Sequence, residues 1–267
     1  MNENEQENIN DALKNEAISN ILRLLKPNAL GYMLQKRYHQ ILSDLDSRLK
    51  HFMDVPRHYD ACKITVYTNA IQKMFNLKNY INASLIPGNN NNYIVCQSPI
   101  FRHMKRFVRL IKKSEVKLII SLNSVELFDF MDKYNRLEKE NFYDEHGDLV
   151  LVEELFDIGE SKLVRRLKIM TWDEHCPPIK SHMRLLYEKF KMVKYSSNNI
   201  IIHSKAGIGR ACTFVMYDIL SDYDEVSIEI FIDIFYYIRS RRPYAIKNRN
   251  QFEYLIDEFI DIHQANH

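Results

Sequence analysis

Residues 200–214 read Ile-Ile-Ile-His-Ser-Lys-Ala-Gly-Ile-Gly-Arg-Ala-Cys-Thr-Phe. Three successive isoleucines, Ile200 to Ile202, predict a buried strand, because β-branched side chains pack well on a pleated surface. Ser204 to Gly209 predict a tight loop, and Arg210 to Leu220, with few polar interruptions, predict a helix. A strand, a glycine-bearing loop and a helix N-terminus form an anion site. Successive backbone amides turn inward around an oxyanion and the helix dipole adds partial positive charge. Arg210 adds a planar fork that matches two phosphate oxygens. The loop candidates are therefore Ser204, Lys205, Ala206, Gly207, Ile208, Gly209 and Arg210. A plain strand-to-helix turn with an exposed arginine accounts for the same residues. A Walker-type loop does not, since it ends in Gly-Lys-Ser/Thr and here Arg follows the second glycine.

Glycine is scarce: the chain has six in 267 residues, where average usage of roughly 7% would give about three times as many. Two of the six falling at 207 and 209 is therefore informative. The rest of the composition is that of a globular protein, 46% hydrophobic, 12% aromatic and with a net charge of +2, which argues against disorder and against bulk nucleic acid as a partner. No run approaches the roughly 18 to 20 apolar residues of a membrane span, and the acidic, amide-rich start is unlike a secretory signal. The expected location is the cytoplasm. Cys62, Cys96, Cys176 and Cys212 form no CxxC pair, so the expectation is buried free thiols, with no metal site and no cofactor.

No repeat or linker divides the chain, and the expected organisation is a helical extension over 1–28 followed by one domain over 29–267. Ile9, Leu13, Ala17 and Ile21 carry helical spacing that stops at Pro27, and Leu30, Met33, Leu34, Tyr38 and Ile41 carry a second helical pattern. Strands are predicted at Tyr93–Cys96 and Lys117–Leu122, with a hairpin from Leu149–Phe156 through Gly159 to Leu163–Met170. Phe107, Val108 and Ile111 mark one helix. Ile179, Met183, Leu186, Phe190 and Val193 mark another, and a last amphipathic helix starts near Phe252 after a polar loop over 241–250. The fold class is thus α/β (α+β), a twisted mixed sheet flanked by helices.

The segment from His203 to Phe214 resembles the signature of protein tyrosine phosphatases, His-Cys-Ser-Ala-Gly-x-Gly-Arg-Thr-Gly-x-Phe. Three more stretches agree in family order. NYINASLI (79–86) is similar to the Asn/Asp-Tyr-Ile-Asn-Ala-Ser segment, YIVCQSPI (93–100) to the Tyr-Ile-Ala-x-Gln-Gly-Pro segment and TWDEHCPP (171–178) to the mobile Trp-Pro-Asp loop. The degenerate motifs look most like the tyrosine phosphatase sets of insect bracoviruses. That resemblance implies phosphotyrosine-containing host proteins as partners and the host cytoplasm as the setting.

Where the resemblance implies a nucleophilic cysteine, this chain has Ser204, and a hydroxyl is far less acidic than a thiol beside the same dipole. His203 precedes Ser204 on the strand and is expected to face the other way. The general acid position falls on Glu174, preceded by Asp173 where the family has proline, and the hydroxyl that follows the family's arginine is Ala211. The Gln-Thr-x-x-Gln-Tyr loop, whose first glutamine positions water, reads Lys247, Asn248, Arg249, Asn250, Gln251, Phe252. The phosphotyrosine clamp reads Pro56, Arg57, His58, with Asp60 in register and Tyr59 one place late, so His58, Tyr59, Asp60, Lys247 and Gln251 are the candidate substrate contacts. Lys205 is either a phosphate-loop charge or a solvated surface charge, Trp172 a loop hinge or core, and Arg239 with Arg242 a family arginine pair or a helix-end complement to the dipole. Four departures at once argue for a natural pseudophosphatase that binds phosphotyrosine without turning it over. The alternatives are an active phosphatase, if Ser204 replaces a native cysteine, and a phosphate-independent scaffold.

Overall fold

The computed structural model describes residues 69–123 and 129–259. In chain order its main elements are α1 (Asn69–Met74), β1 (Ala83–Pro87), β2 (Asn92–Gln97), α2 (Met104–Lys113), β3 (Leu118–Ser121) and β4 (Asn135–Tyr143). There follow β5 (Leu149–Asp157), β6 (Leu163–Ile169), α3 (Lys180–Val193), β7 (Asn199–Ser204), α4 (Arg210–Leu220), α5 (Ile228–Arg241) and α6 (Arg249–Phe259). The strands form one seven-stranded mixed sheet in the order β1-β2-β7-β3-β6-β5-β4. Its centre, β2, β7, β3 and β6, is parallel, while β1 joins β2 and β5 and β4 continue from β6 antiparallel.

The parallel centre is why the sequence there is continuously apolar. Helices cover both faces of such a sheet, so both side-chain sets are buried. On β7, Ile200 and Ile202 join the larger apolar cluster with α3, α4, α5 and α6, while Ile201 joins a second cluster with α1 and α2. The same alternation puts Tyr93 and Val95 of β2 on the first face and Ile94 and Cys96 on the second. Every residue of α4 is buried, which fixes its N-terminus relative to the end of β7. Asp218 inside that helix is fully buried and accepts from Tyr93 Oη at 2.5 Å, Tyr187 Oη at 3.0 Å and Lys194 Nζ at 2.8 Å. A buried carboxylate tolerates that position only with its oxygens so engaged, and its donors tie α4 to β2, to α3 and to the turn after α3.

The expected helix and strands around 200–220 match β7 and α4, and the hairpin matches β5 and β6. Strand β4 is an addition. It lies on the sheet edge, and apart from half-buried Phe142 its residues are exposed, so it shows no apolar alternation. The polar loop expected over 241–250 is shorter and partly internal: α5 runs through Arg241, α6 starts at Arg249, and Arg242, Pro243, Ala245 and Ile246 between them are buried. The helical patterns of residues 1–45 lie outside the described residues.

Candidate functional site

Strand β7 ends at Ser204, and by strand parity its side chain faces the α4 side while His203 faces the other. His203 packs edge-on against Phe107 and Phe130, with centroids 5.8 and 5.5 Å away, and Ser98 Oγ lies 2.7 Å from its Nδ1. It is therefore no base for Ser204. Ser204 is 2% exposed, and its Oγ accepts from the Gly207 amide at 3.2 Å.

The loop after Ser204 is shaped by where its carbonyls go. Ser204 O accepts from the Ser98 amide at 2.9 Å, Ala206 O from Arg242 Nη2 at 3.1 Å and Gly207 O from Arg242 Nε. Ile208 O accepts from the Ile246 amide at 2.8 Å and Gly209 O from the Thr213 amide at 2.9 Å. None of these donors lines the cavity above the loop. In a trans peptide the N–H of the next residue points opposite to the carbonyl, and the described chain has no cis bonds. The amides of Lys205, Gly207, Ile208, Gly209 and Arg210 thus point away from these donors, and that of Gly207 meets Ser204 Oγ.

Two glycines make this path available. Gly207 sits at φ +67°, and a Cβ there would lie under 3.0 Å from the Cys96 carbonyl. A Cβ on Gly209 would lie 2.8 Å from Gln251 Oε1. Arg242, fully buried, also donates to Ser84 Oγ at 3.1 Å and Asn82 Oδ1 at 2.8 Å. Its guanidinium thus rivets the loop's outer side to β1, while Arg239 Nη1 donates to Ala245 O at 2.5 Å and holds the following turn. Arg239 also sits in the last turn of α5, so these contacts and the complement to the helix dipole are not exclusive.

Above the loop lies a cavity of about 540 Å³ that opens to solvent. Its base is Ser204, Ala206, Ile208, Gly209 and Arg210, and its rim includes Glu174, Lys205, Lys247 and Gln251. Arg210 is 6% exposed, and among the described residues its guanidinium makes one hydrogen bond, from Nη1 to Trp172 O at 2.8 Å. Burial disfavours its charged form, opposed by Glu174 and Asp173, yet an arginine stays protonated and keeps its other N–H groups for a partner.

The loop carrying the acid position is tied down on several sides. Trp172, 1% exposed, packs in the core, as one of its two readings expected, and donates its indole N–H to Cys176 O at 2.9 Å. Asn248 Nδ2 donates to His175 O at 2.5 Å and Gln251 Nε2 to Cys176 O at 3.0 Å. Lys205 Nζ donates to Glu174 Oε2 at 2.6 Å, and this contact holds the Glu174 carboxyl below the usual carboxylate range. Lys205 is thus an exposed charge with a defined partner. The same contact favours the ionised form of Glu174. Asp173 is exposed and does not line the cavity.

Gln251 is buried at the cavity wall, and its Oε1 has no hydrogen-bond partner among the described residues. Lys247 is exposed on the rim, its ammonium 5.8 Å from the centre of the Tyr244 ring. Ala211 is fully buried and brings no hydroxyl to the site. His58, Tyr59 and Asp60 lie outside the described residues. Cys96 and Cys212 are buried, and burial pushes each thiol up to about 12. Cys176 departs from the expectation of burial: it is exposed, because it sits in the polar Trp172–Pro178 loop. Sequence reasoning singled out Arg242 only as one of an arginine pair, without its partners on the loop, and missed the Asn248 tether.

The sequence model of the protein-tyrosine phosphatase family matches residues 49–155 and 144–261. Among curated proteins, the chain is 25% identical over 209 residues to receptor-type tyrosine-protein phosphatase eta of Gallus gallus, covering 68% of this chain and 15% of that protein. It is 25% identical over 204 residues to tyrosine-protein phosphatase 2 of Dictyostelium discoideum, covering 67% of this chain and 53% of that one. The chain therefore spans about half or less of these relatives' lengths. Among solved structures, PTPN18 bound to HER2 phospho-peptides superposes with a TM-score of 0.65 at 16% identity, over 84% of this chain and 91% of that one. The catalytic domain of human protein tyrosine phosphatase non-receptor type 18 gives 0.65 at 18% identity, over 86% and 97%.

Proposed function

The chain belongs to the protein-tyrosine phosphatase family, and from that premise we propose that it captures phosphotyrosine on protein partners with hydrolysis absent or close to background. The observation that carries this reading is Arg210. A guanidinium 6% exposed, with one hydrogen bond among the described residues, at the base of a cavity that opens to solvent, is a costly arrangement that an oxyanion relieves. Ser204, Lys205, Ala206, Gly207, Ile208, Gly209 and Arg210 form the phosphate cradle. Residues 29–267 act as the domain, with 1–28 as an extension.

Chemistry is opposed at four positions. Ser204 offers a neutral hydroxyl where the family reaction uses a thiolate. Lys205 favours the ionised form of Glu174, Ala211 lacks a hydroxyl, and Lys247 carries only donors, so it cannot accept a hydrogen bond that would position attacking water. Binding does not need the thiol, and a neutral Ser204 removes a like-charge penalty against the dianion. By the resemblance to the bracovirus sets, the partners are host signalling proteins in the host cytoplasm.

Calorimetric titration with matched phosphotyrosine, phosphoserine and unphosphorylated peptides tests the reading, alongside aryl phosphate hydrolysis at neutral pH. Phosphotyrosine binding with negligible turnover is the expected result. Equal binding of all three peptides establishes the scaffold alternative instead, and hydrolysis at ordinary family rates establishes an enzyme.

A further inference from the structure

Helix α2 carries more positive charge than its packing requires. Within Met104–Lys113 it holds Lys105, Arg106, Arg109, Lys112 and Lys113 and no acid. Phe107, Leu110 and Ile111 are buried against the sheet face that carries Ile201, and by helical spacing Lys105, Arg109, Lys112 and Lys113 lie on the opposite side. Lys105, Arg109 and Lys113 are exposed, and their side chains make no ion pair with any described residue. Lys112 meets Glu160 at 3.4 Å, and Glu160 also meets Lys162 at 3.6 Å. The exposed Lys133 ammonium is held below the ordinary lysine value by partial desolvation and then by Lys112. Lys105, Arg109, Lys112, Lys113, Lys133 and Lys162 thus stand against one acid, Glu160, a local charge of +5 in a chain whose total is +2. The flanking acids Glu115 and Asp132 are matched in number by the flanking cations Arg106 and Lys117. Like charges crowded on one face repel one another, and a fixed counter-charge outside the molecule relieves them.

We propose that this face docks on an anionic bilayer, with α2 lying parallel to the lipid surface. Phe101, 71% exposed, begins the turn Phe101–His103 that leads into α2. An exposed aromatic beside a row of cations is the pairing that binds a lipid interface, the ring entering the headgroup layer and the cations meeting the anionic lipids. A protein partner fits this face less well, because the centres of protein interfaces are depleted of lysine and five of the six cations here are lysines. Single-stranded nucleic acid calls for aromatic rings interleaved with the cations, and Phe101 stands at one end only. None of these residues lines the cavity above the phosphate loop, so docking and anion capture use separate surfaces.

Co-sedimentation of the full chain with phosphatidylcholine vesicles, with and without phosphatidylserine, tests the proposal. Binding is expected only with phosphatidylserine, and is lost at about 1 M salt, where the screening length falls to ~3 Å. Arg109→Gln combined with Lys113→Gln is expected to weaken it about 25-fold, from about fivefold for each cation removed near such a surface. Lys139→Gln combined with Lys191→Gln removes equal exposed charge elsewhere and is expected to change it by less than about twofold. Phe101→Ser is expected to weaken binding at unchanged charge; no loss removes Phe101 from the contact. Arg210→Lys leaves vesicle binding level, and the Arg109/Lys113 double variant leaves phosphotyrosine peptide affinity level, so docking and capture fail independently. Equal binding to both vesicle types, equal losses in the two double variants, or a loss with Arg210→Lys overturns the proposal. Binding of a polyglutamate peptide or of single-stranded RNA, with none to phosphatidylserine vesicles, overturns it in favour of an acidic protein or a nucleic acid.

Discussion

Replacing Gly207 by alanine separates two costs that usually arrive together. Gly207 has φ +67°, and an alanine Cβ there would meet the Cys96 carbonyl at under 3.0 Å and Arg242 Nη2 at 2.7 Å. Gly159, in the turn between β5 and β6, has φ +88°, with nothing within 4 Å of its added Cβ. Gly159→Ala therefore reports the left-handed backbone penalty alone, about 1 to 2 kcal/mol. Gly207→Ala adds an overlap with backbone that no rotamer relieves, about 1 to 3 kcal/mol more. Its expected loss is thus about 2 to 5 kcal/mol, a large share of a domain's roughly 5 to 15 kcal/mol. Denaturant unfolding followed by circular dichroism, with both variants compared at unchanged slope, gives the two numbers. Because the shift also drags Gly207 O away from Arg242 Nε, phosphopeptide affinity should fall for Gly207→Ala and stay level for Gly159→Ala. If Gly207→Ala costs no more than Gly159→Ala, the wedged geometry of the loop is wrong.

Arg210→Lys keeps the charge and loses the fork, so phosphotyrosine peptide affinity should weaken by about 1.5 to 3 kcal/mol by calorimetry; no change would remove Arg210 from the cradle. Ser204→Cys places a thiol at a helix N-terminus, yet hydrolysis of an aryl phosphate should recover only a small fraction of ordinary family activity, rising further with Glu174→Asp and Lys247→Gln. Full recovery from the single change would refute the role given to the other positions. Acidification tests the Lys205–Glu174 contact. Its folded-state carboxyl is depressed, so the contact is fully present above the ordinary glutamate value of about 4.3 and is lost as pH falls through and below it. As the pair is exposed, the effect should be under about 1 kcal/mol, seen as faster amide exchange in residues 173–176. Because His175 Nε2 also lies 3.5 Å from Glu174 Oε1, the control is Lys205→Met, which should remove this acid response; an unchanged response would rule out Lys205 as its origin.

The core of the fold was legible because its physical causes are local. Ile200–Ile202 are apolar on both faces in a strand covered on both faces, and Gly207 marks where the loop backbone passes too close to the Cys96 carbonyl for a side chain. Strand β4 was illegible for the opposite reason: its pairing with β5 comes from backbone hydrogen bonds, which leave no trace in a row of exposed side chains. Site contacts divide in the same way. Arg210 follows from its place after the second glycine. Arg242 reaching Asn82, 160 residues away, and Lys205 meeting Glu174, 31 residues away, depend on the sheet order β1-β2-β7 and on loop packing that no short window encodes.

Trp172 gives the site an optical consequence. It is the chain's one tryptophan, with its carbonyl on Arg210 and its indole N–H on the loop's own Cys176 carbonyl. Tryptophan emission from this protein therefore comes from a single buried residue whose backbone carbonyl accepts from the Arg210 guanidinium and whose indole N–H donates to the Cys176 carbonyl. Any ligand that draws Arg210 away, or any opening of residues 173–178, changes the polarity around that indole and shifts its emission maximum. The core behind Arg210 thus carries an intrinsic fluorophore, and loop state and occupancy of the cavity can be followed from it in the unlabelled, unsubstituted protein.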